Sequence, residues 1–504
     1  MGNINIYELL AFILYFVAVL GIGLFFFFKS KGSGEKDYFL GGRQMGPWVT
    51  AMSAQASDMS AWLLMGLPGS ILAFGFGEVW IGIGLALGTA ANWIFVAKRL
   101  RRFSAAANDS ITLPQYLSNR FGSGHKALQM VSAVIFLVCF TVYVASAFVA
   151  GTKVFLKVFP SLDPSIAMLI FAAIILVYTF LGGYKAVCWT DFFQGILMLV
   201  ALLAIPIIAA LSGEADSALL SQTIVDAEGT QYAFGSNLFA SDWRDIISGL
   251  AWGLGYFGMP HILVRFMSIK KAKDVNKAAT IAIIWVVLAL SAVCVMAFFG
   301  RMIMGKELVL QGAQDTVFIA FARKYFPAFI AGLLMSAIIA ASMSTADSQL
   351  LVASSSFTSD IYKPVIRKNA SEKEILWVGR IVVVLVSIVA YFIASSKAQG
   401  AQAIMNLVEN AWAGFGSAFG PVVLLSVFWK RLTYKGALAG VIGGALVDVV
   451  WLAGGLSAST GIYELVPGFI AGLVCTVVVT LIDKKPDAEA VAVFEKALDK
   501  SFEE

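Results

Sequence analysis

Long apolar runs recur from one end of this chain to the other, each of roughly 18 or more residues and so able to cross a bilayer as a helix. In lipid a spanning segment must satisfy its own backbone polar groups. The expected fold class is therefore an all-α polytopic membrane protein. Of its 504 residues, 59% are hydrophobic and only 13% charged, a balance no soluble domain of this length requires.

Hydropathy gives about 13 transmembrane helices. They fall near residues 7–28, 48–74, 79–97, 128–155, 166–181, 187–211, 246–267, 278–304, 329–356, 376–393, 404–429, 437–453 and 462–482. The first lacks the basic start and small-residue cleavage site of a signal peptide. The expected organisation is one transmembrane domain over residues 1–484, followed by a charged tail, 485–504, read as a short cytoplasmic helix or disordered. Basic residues gather on one side of the membrane. Lys29, Lys31, Lys36 and Arg43 follow the first span, and Lys98, Arg99, Arg101, Arg102, Arg120 and Lys126 follow the third. Lys270, Lys271, Lys273, Lys363, Arg367, Lys368, Lys373, Lys430 and Arg431 fall on the same side. The positive-inside rule makes that side cytoplasmic, with the N-terminus outside and the C-terminus inside. Arg301, Lys306, Arg323 and Lys324 run against the rule but are outnumbered. The net charge of +5 thus belongs to membrane topology rather than to nucleic-acid binding. The loop 213–243 lies on the outer side and is long enough to fold over that surface.

Two spans carry residues that weaken a helix. The stretch AMSAQASDMSAWLLMGLPG, residues 51–69, has Ser53, Ser57, Asp58 and Ser60 at membrane depth and Pro68-Gly69 beyond them. A carboxylate there is costly and usually faces a partner or a watery cavity. Ser and Asp also draw the backbone away from helical bonding. The second stretch, SGLAWGLGYFGMPHILVRF at 248–266, has Gly249, Gly253, Gly255, Gly258 and Pro260, with Trp252 and Tyr256 among them. The two lie five spans apart. Interrupted helices in matching positions of two halves point to a transporter's central site. Close helix packing through the glycines is the alternative. A third polar stretch, SAIIAASMSTADSQLLVASSS at 336–356, offers the adjacent hydroxyls of Ser344 and Thr345 and the Asp347 carboxylate. Hard cations take oxygen ligands. These hydroxyls, with carbonyls freed near Ala56 and Met59, would make a sodium cage of low net charge; bonding back to their own helix is the alternative.

Other chemistry is excluded or weak. Cys139, Cys188, Cys294 and Cys475 have no CxxC spacing, and His125 and His261 form no metal-binding pair. GRMIMGKE, residues 300–307, nearly matches a phosphate-binding loop, but Glu307 stands where a hydroxyl is needed and no strand precedes it. Transport energy is then expected from an ion gradient, and no enzymatic activity is expected. Glu409 and Asp448, also in or near spans, receive no role.

Five islands carry a resemblance: ASDMSAWLLMGLPG (56–69), YTFLGGYKAVCWTD (178–191), WGLGYFGMPHILVRFM (252–267), MSTADSQLLVASS (343–355) and NAWAGFGSAFGPVVL (410–424). They closely resemble the sodium/solute symporter family and, within it, the branch that carries L-proline. The resemblance runs from about residue 37 to 482 and is far more specific than a short motif. It implies a core of two inverted five-helix repeats at 48–429, an extra N-terminal helix at 7–28, flanking helices at 437–482, and alternating access.

The resemblance also implies roles. Sodium would fall on Ala56, Met59, Ala341, Ser344 and Thr345, with Asp58 the acid that sodium dependence needs. Ser60, Trp62, Gly66, Tyr143, Trp252, Tyr256 and Pro260 match or neighbour substrate positions, and Arg265 matches a basic residue at the cytoplasmic end of the second broken helix. Asp191, Asp347 and Ser348, with Ser344, are candidates for a second cation, because relatives use that region so and because two converging acids need a cation or proton between them. This sequence departs from the family pattern at Gln55, Ala61, Asp347 and Asp448. The expected function is sodium-driven import of L-proline through a cell's inner membrane. Sodium-coupled uptake of another small organic solute, such as a different amino acid or pantothenate, or a solute sensor or channel, is the alternative.

Overall fold

The computed structural model describes residues 5–29, 34–122, 126–226, 229–397, 403–499 and 502; Lys31 and His125 lie outside them. Among the described residues eleven helices are long and apolar enough to cross a membrane, and Trp62–Phe74 and Pro164–Phe180 are shorter apolar helices. Trp62–Phe74 is the second piece of an interrupted span and Pro164–Phe180 is a short span of its own, which brings the set to the roughly thirteen segments read from hydropathy. In chain order the helices are α1 (Ile6–Lys29), α2 (Pro47–Asp58), α3 (Trp62–Phe74), α4 (Phe76–Ala106), α5 (Lys126–Val158), α6 (Pro164–Phe180), α7 (Gly183–Leu211) and α8 (Trp243–Gly255). Then come α9 (Pro260–Ser268), α10 (Val275–Leu310), α11 (Ala328–Ile366), α12 (Glu372–Lys397), α13 (Ala403–Phe428), α14 (Tyr434–Ala453), α15 (Leu465–Ile482) and α16 (Ala488–Leu498).

The core is two sets of five spans, each led by an interrupted helix: α2/α3 through α7, then α8/α9 through α13. Five crossings bring the chain to the opposite face, so the second set runs inverted. The glycines read from sequence set the closest approaches. An added Cβ at Gly88 would lie 2.3 Å from Gly253 O, so α4 and α8 touch backbone to backbone. Helix α11 is buried along most of its length and packs on α1, α2, α5 and α7. Outward, α14 exposes Leu446, Val449 and Val450, and α15 exposes Ile470, Val474 and Val478, the stripes a bilayer would cover.

One end of the bundle carries the 213–243 loop. It forms a short hairpin, Ile224–Val225 with Gln231–Tyr232, and Gly235 exchanges backbone bonds with Phe74 and Phe76. Gly75 permits this at φ 95°, with no room for a Cβ beside Gly235. Arg301 is fully buried and donates to the carbonyls of Gln222 (2.7 Å), Tyr232 (3.1 Å) and Leu72 (3.4 Å). It is a clamp on this loop, which explains why it runs against the charge asymmetry. Residues 300–307 sit inside continuous α10, so they form no phosphate loop.

The other end carries the basic loops. Arg43, held at φ 54°, donates to Asp109 (2.8 Å), Ser104 (3.1 Å) and the carbonyl of Ser110 (2.8 Å), and Lys36 also pairs with Asp109. Burial disfavours the Asp109 carboxylate, but the Lys36 bond and the Arg43 charge outweigh it and hold the carboxyl below its usual range. The tail forms a helix, α16, docked beneath this end. Buried Arg120 donates to Ala490 O at 2.8 Å, and Phe494 packs edge-on against Phe103.

Candidate functional site

The first break is explained by its backbone bonds. Helix α2 stops at Asp58, and Met59 adopts φ −81°, ψ 73°. The Ser60 amide then bonds Asp58 O (2.9 Å) instead of Ala56 O, and the Leu63 amide bonds Ser60 O (3.0 Å) instead of Met59 O. The carbonyls of Ala56 and Met59 thereby lose their helical partners. A π-helical stretch, Trp62–Gly66, follows at once, a form that recurs at functional positions.

Helix α11 faces this break. Ser344 Oγ lies 2.7 Å from Ala56 O and 3.2 Å from Ala341 O. Thr345 Oγ1 is buried and has no hydrogen-bond partner among the described residues. The Ala56 and Ala341 carbonyls thus meet the Ser344 hydroxyl from two helices in a buried interior, with the adjacent Thr345 hydroxyl unpartnered, donors of the kind a hard monovalent cation takes.

The second break lies between α8 and α9. Met59 has its counterpart in Met259, extended at φ −78°, ψ 106°, and Pro260 opens α9. Asn92 Nδ2 takes the freed Tyr256 O at 2.9 Å. Tyr256 OH donates to Asp58 Oδ2 at 2.5 Å, joining the two breaks directly, while Asp58 Oδ1 has no partner among the described residues. Trp252 lies beside Trp62 (ring centroids 6.1 Å), Trp412 (6.3 Å) and Tyr463 (5.4 Å). Tyr143 meets His261 edge-on at 6.3 Å. Ser60, Trp62, Gly66, Tyr143, Trp252, Tyr256 and Pro260 are all buried. Around them, Gln55 Nε2, Trp62 Nε1, Tyr143 OH and both His261 ring nitrogens are buried with no partner at hydrogen-bond geometry among the described residues. Native interiors rarely leave such groups unpaired, so a concentration of them beside two helix breaks marks a place for a polar ligand.

Deeper along α11, Asp191, Asp347 and Ser348 come together as the sequence suggested, with a guanidinium among them. Arg265 Nη2 lies 3.2 Å from Asp191 Oδ2 and also bonds Ser348 Oγ, and its Nε donates to Ser53 Oγ (3.1 Å). Ser53 Oγ donates to Asp191 Oδ2 (2.6 Å), and Ser348 Oγ to Asp347 Oδ1 (3.3 Å). All are almost entirely buried. One oxygen on each acid, Asp191 Oδ1 and Asp347 Oδ2, has no partner among the described residues.

Sequence reasoning missed Trp412, Tyr463 and Asn92 as neighbours of the site. Trp412 stood in a quoted island, and only contact reveals its place: its Nε1 donates to Trp252 O at 2.8 Å, and a Cβ at Gly255 would meet that nitrogen at 1.9 Å. Among the described residues no group of three or more His, Cys, Asp or Glu side chains could hold a metal ion.

The family model for the sodium:solute symporter family matches residues 38–444. The chain belongs to that family. Its members similar to this chain include the sodium/proline symporter of Haemophilus influenzae, 44% identical with 99% of this chain and 98% of that one covered. The high-affinity proline transporter of Bacillus subtilis is 43% identical, with 92% and 95% covered. Among solved structures, a sodium-coupled sialic acid symporter aligns with TM-score 0.75 over 96% of this chain and all of that one, at 19% identity. A nucleobase-cation-symport-1 family transporter aligns at TM-score 0.54 and 14% identity, over 91% and 98%. At these identities the two structures speak to the fold: two inverted sets of five spans with broken helices. Like its family, this symporter is a transporter embedded in a membrane, not an enzyme.

Proposed function

We propose that this chain imports L-proline across a cell's inner membrane with sodium, by alternating access, its transporting core spanning residues 48–429. The observation that carries the reading is the convergence of the freed Ala56 carbonyl, the Ala341 carbonyl and the Ser344 hydroxyl beside unpartnered Thr345. In this reading sodium takes those oxygens together with Met59 O. Asp58, held by Tyr256, adds negative potential from behind. Proline is compact and zwitterionic with an apolar ring. Trp62, Trp252, Tyr256 and Tyr143 supply ring-sized apolar faces, with Ser60, Gly66 and Pro260 shaping the space between them. The half-helices α3 and α9 begin at the breaks, and their amino ends favour the carboxylate. Sodium joins α2 to α11, so its arrival would fix the geometry of the break on which the substrate site depends, and this couples the two.

In this reading the end that holds Arg43 and α16 faces the cytoplasm, with the N-terminus outside and the C-terminus inside, which the basic loops support through the positive-inside rule. The relatives' names support proline, and the family supports sodium. The test is radiolabelled proline uptake into proteoliposomes, with and without a sodium gradient and with competing solutes. Concentrative, sodium-dependent uptake displaced by proline and not by pantothenate or other amino acids is expected. Displacement by another solute would reassign the substrate, and flux that never concentrates would indicate a channel.

A second reading concerns charge. Asp191 and Asp347 share one guanidinium, and Asp347 Oδ2 is left without a partner. We infer that Asp347, with Ser344, Ser348 and Asp191 beside it, takes a second cation or a proton.

A further inference from the structure

Helices α14 and α15 lie outside the five-helix sets, yet the segment between them reaches Trp252 on α8. It runs through the short helix Leu456–Thr460 to Tyr463, whose ring is 4% exposed. That ring stacks on Trp252, centroids 5.4 Å apart and planes at 24°, where Trp62 meets the same indole at 6.1 Å and a tilted 38°. Trp252 is fixed from another direction by Trp412, at 6.3 Å and 27°, whose Nε1 holds the Trp252 carbonyl.

Tyr463 is itself held at both ends. Its OH donates to Glu409 O on α13 at 2.8 Å, and its amide donates to Ser248 Oγ on α8 at 3.1 Å. Ser248 Oγ in turn donates to Gly461 O at 3.5 Å. Behind it Trp451 Nε1 donates to Ile462 O (3.1 Å), and Ser457 donates to buried Glu464 (2.8 Å). The segment is thus a braced strut. It ties α14 and α15 to α8 one turn before Trp252, and to α13 through Glu409. An aromatic pair of this geometry fixes ring orientation as well as burying area.

We propose that Tyr463 is a positioning residue for substrate binding: it holds the Trp252 indole in the orientation that receives the substrate ring, and so makes the α14–α15 hairpin part of the substrate site. The inference rests on the reading that Trp252 lines that site. It assigns Tyr463 no contact with the substrate and no part in sodium binding, since Ala56 and Ser344 lie on other helices.

The test measures proline KM, maximal rate and the sodium concentration for half-maximal uptake in proteoliposomes for Tyr463→Ala, Tyr463→Leu, Tyr463→Phe, Trp252→Ala and the double variant Trp252→Ala/Tyr463→Ala. Tyr463→Ala is expected to raise the proline KM about 5- to 30-fold, the range an aromatic contact and its buried area support. The maximal rate per reconstituted molecule should change less than threefold and the sodium requirement hardly at all. Tyr463→Phe keeps the stack and should stay within about threefold of the parent. Tyr463→Leu fills the volume without an aromatic face and should follow Ala, which serves where Ala fails to fold. In the double variant the Tyr463 effect should vanish, because its only route is Trp252. Equal losses of rate in all variants at unchanged KM would mark a merely structural brace and overturn the proposal, as would additive KM effects. If Trp252→Ala itself leaves KM unchanged, the substrate reading falls; if it raises KM and Tyr463→Ala does not, this inference falls alone.

Discussion

Asp58 is the residue whose surroundings say most about coupling. It is fully buried, and its one partner on Oδ2 is the Tyr256 hydroxyl at 2.5 Å. A carboxylate is retained at such cost only where its charge is used. Asp58→Asn keeps shape and the capacity to accept that bond but removes the field at the neighbouring oxygens. The variant is expected to insert normally and to need at least tenfold more sodium for half-maximal uptake, which a sodium titration of reconstituted protein reads; unchanged sodium dependence would remove Asp58 from the coupling. Trp252→Ala and Tyr256→Ala should weaken proline more than sodium, by about 1–3 kcal/mol for the apolar face lost. Normal proline binding in both would place the pocket elsewhere. Tyr256→Phe separates the two functions of that residue: the ring remains and only the bond to Asp58 goes, so its effect should appear chiefly in the sodium titration.

At the scale of elements, the broken helices depend on glycines that have no room for a side chain. A Cβ at Gly258 would lie 2.3 Å from Phe415 O and 2.8 Å from Gly420 N, both backbone atoms of α13. Backbone cannot step aside as a flexible side chain can, so Gly258→Ala should cost about 1–3 kcal/mol and lower the melting temperature of the solubilised protein. Gly46→Ala, where no atom lies within 4 Å, is the matched control and should leave it unchanged. A Gly258→Ala protein as stable as the parent would mean that α8 and α13 are not locked at this crossing. Both breaks were legible in the sequence, because Ser57, Asp58 and Ser60, or four glycines and a proline, interrupt runs that are otherwise apolar. So was the approach of residues 343–355 to Ala56, through hydroxyls at membrane depth. The guanidinium between Asp191 and Ser348 was not. Arg265 stands 74 residues from Asp191, and helical spacing along one segment says nothing about which other helix lies opposite. Tyr463 was hidden for the same reason, and because hydropathy marks its helix only as another apolar span.

At the scale of the whole molecule, the balance of charge in the interior decides how many ions move with each substrate. Asp58 stands near the proposed sodium oxygens, and Asp191, Asp347 and Arg265 form a separate buried group. In that group two acids share one guanidinium. Arg265 is committed to Asp191, Ser53 and Ser348, so it compensates Asp191 most directly. Asp347 takes a 3.3 Å bond from the Ser348 hydroxyl, and its Oδ2 has no partner among the described residues. A bare charge in that position would cost several kcal/mol. A sodium ion or a proton on Asp347 removes the cost, and Ser344, one helical turn earlier on the same face of α11, can add a hydroxyl. Since zwitterionic proline carries no net charge, the current per proline counts the cations directly. Voltage-resolved uptake in proteoliposomes is therefore expected to give more than one positive charge per proline in the parent and one in Asp347→Ser. A ratio that falls as the pH is raised at fixed sodium identifies the second cation as a proton, and a ratio that holds identifies it as sodium. One charge per proline in both proteins, at every pH, would show that Arg265 alone balances this group and that the site beside Ala56 binds the only coupled ion.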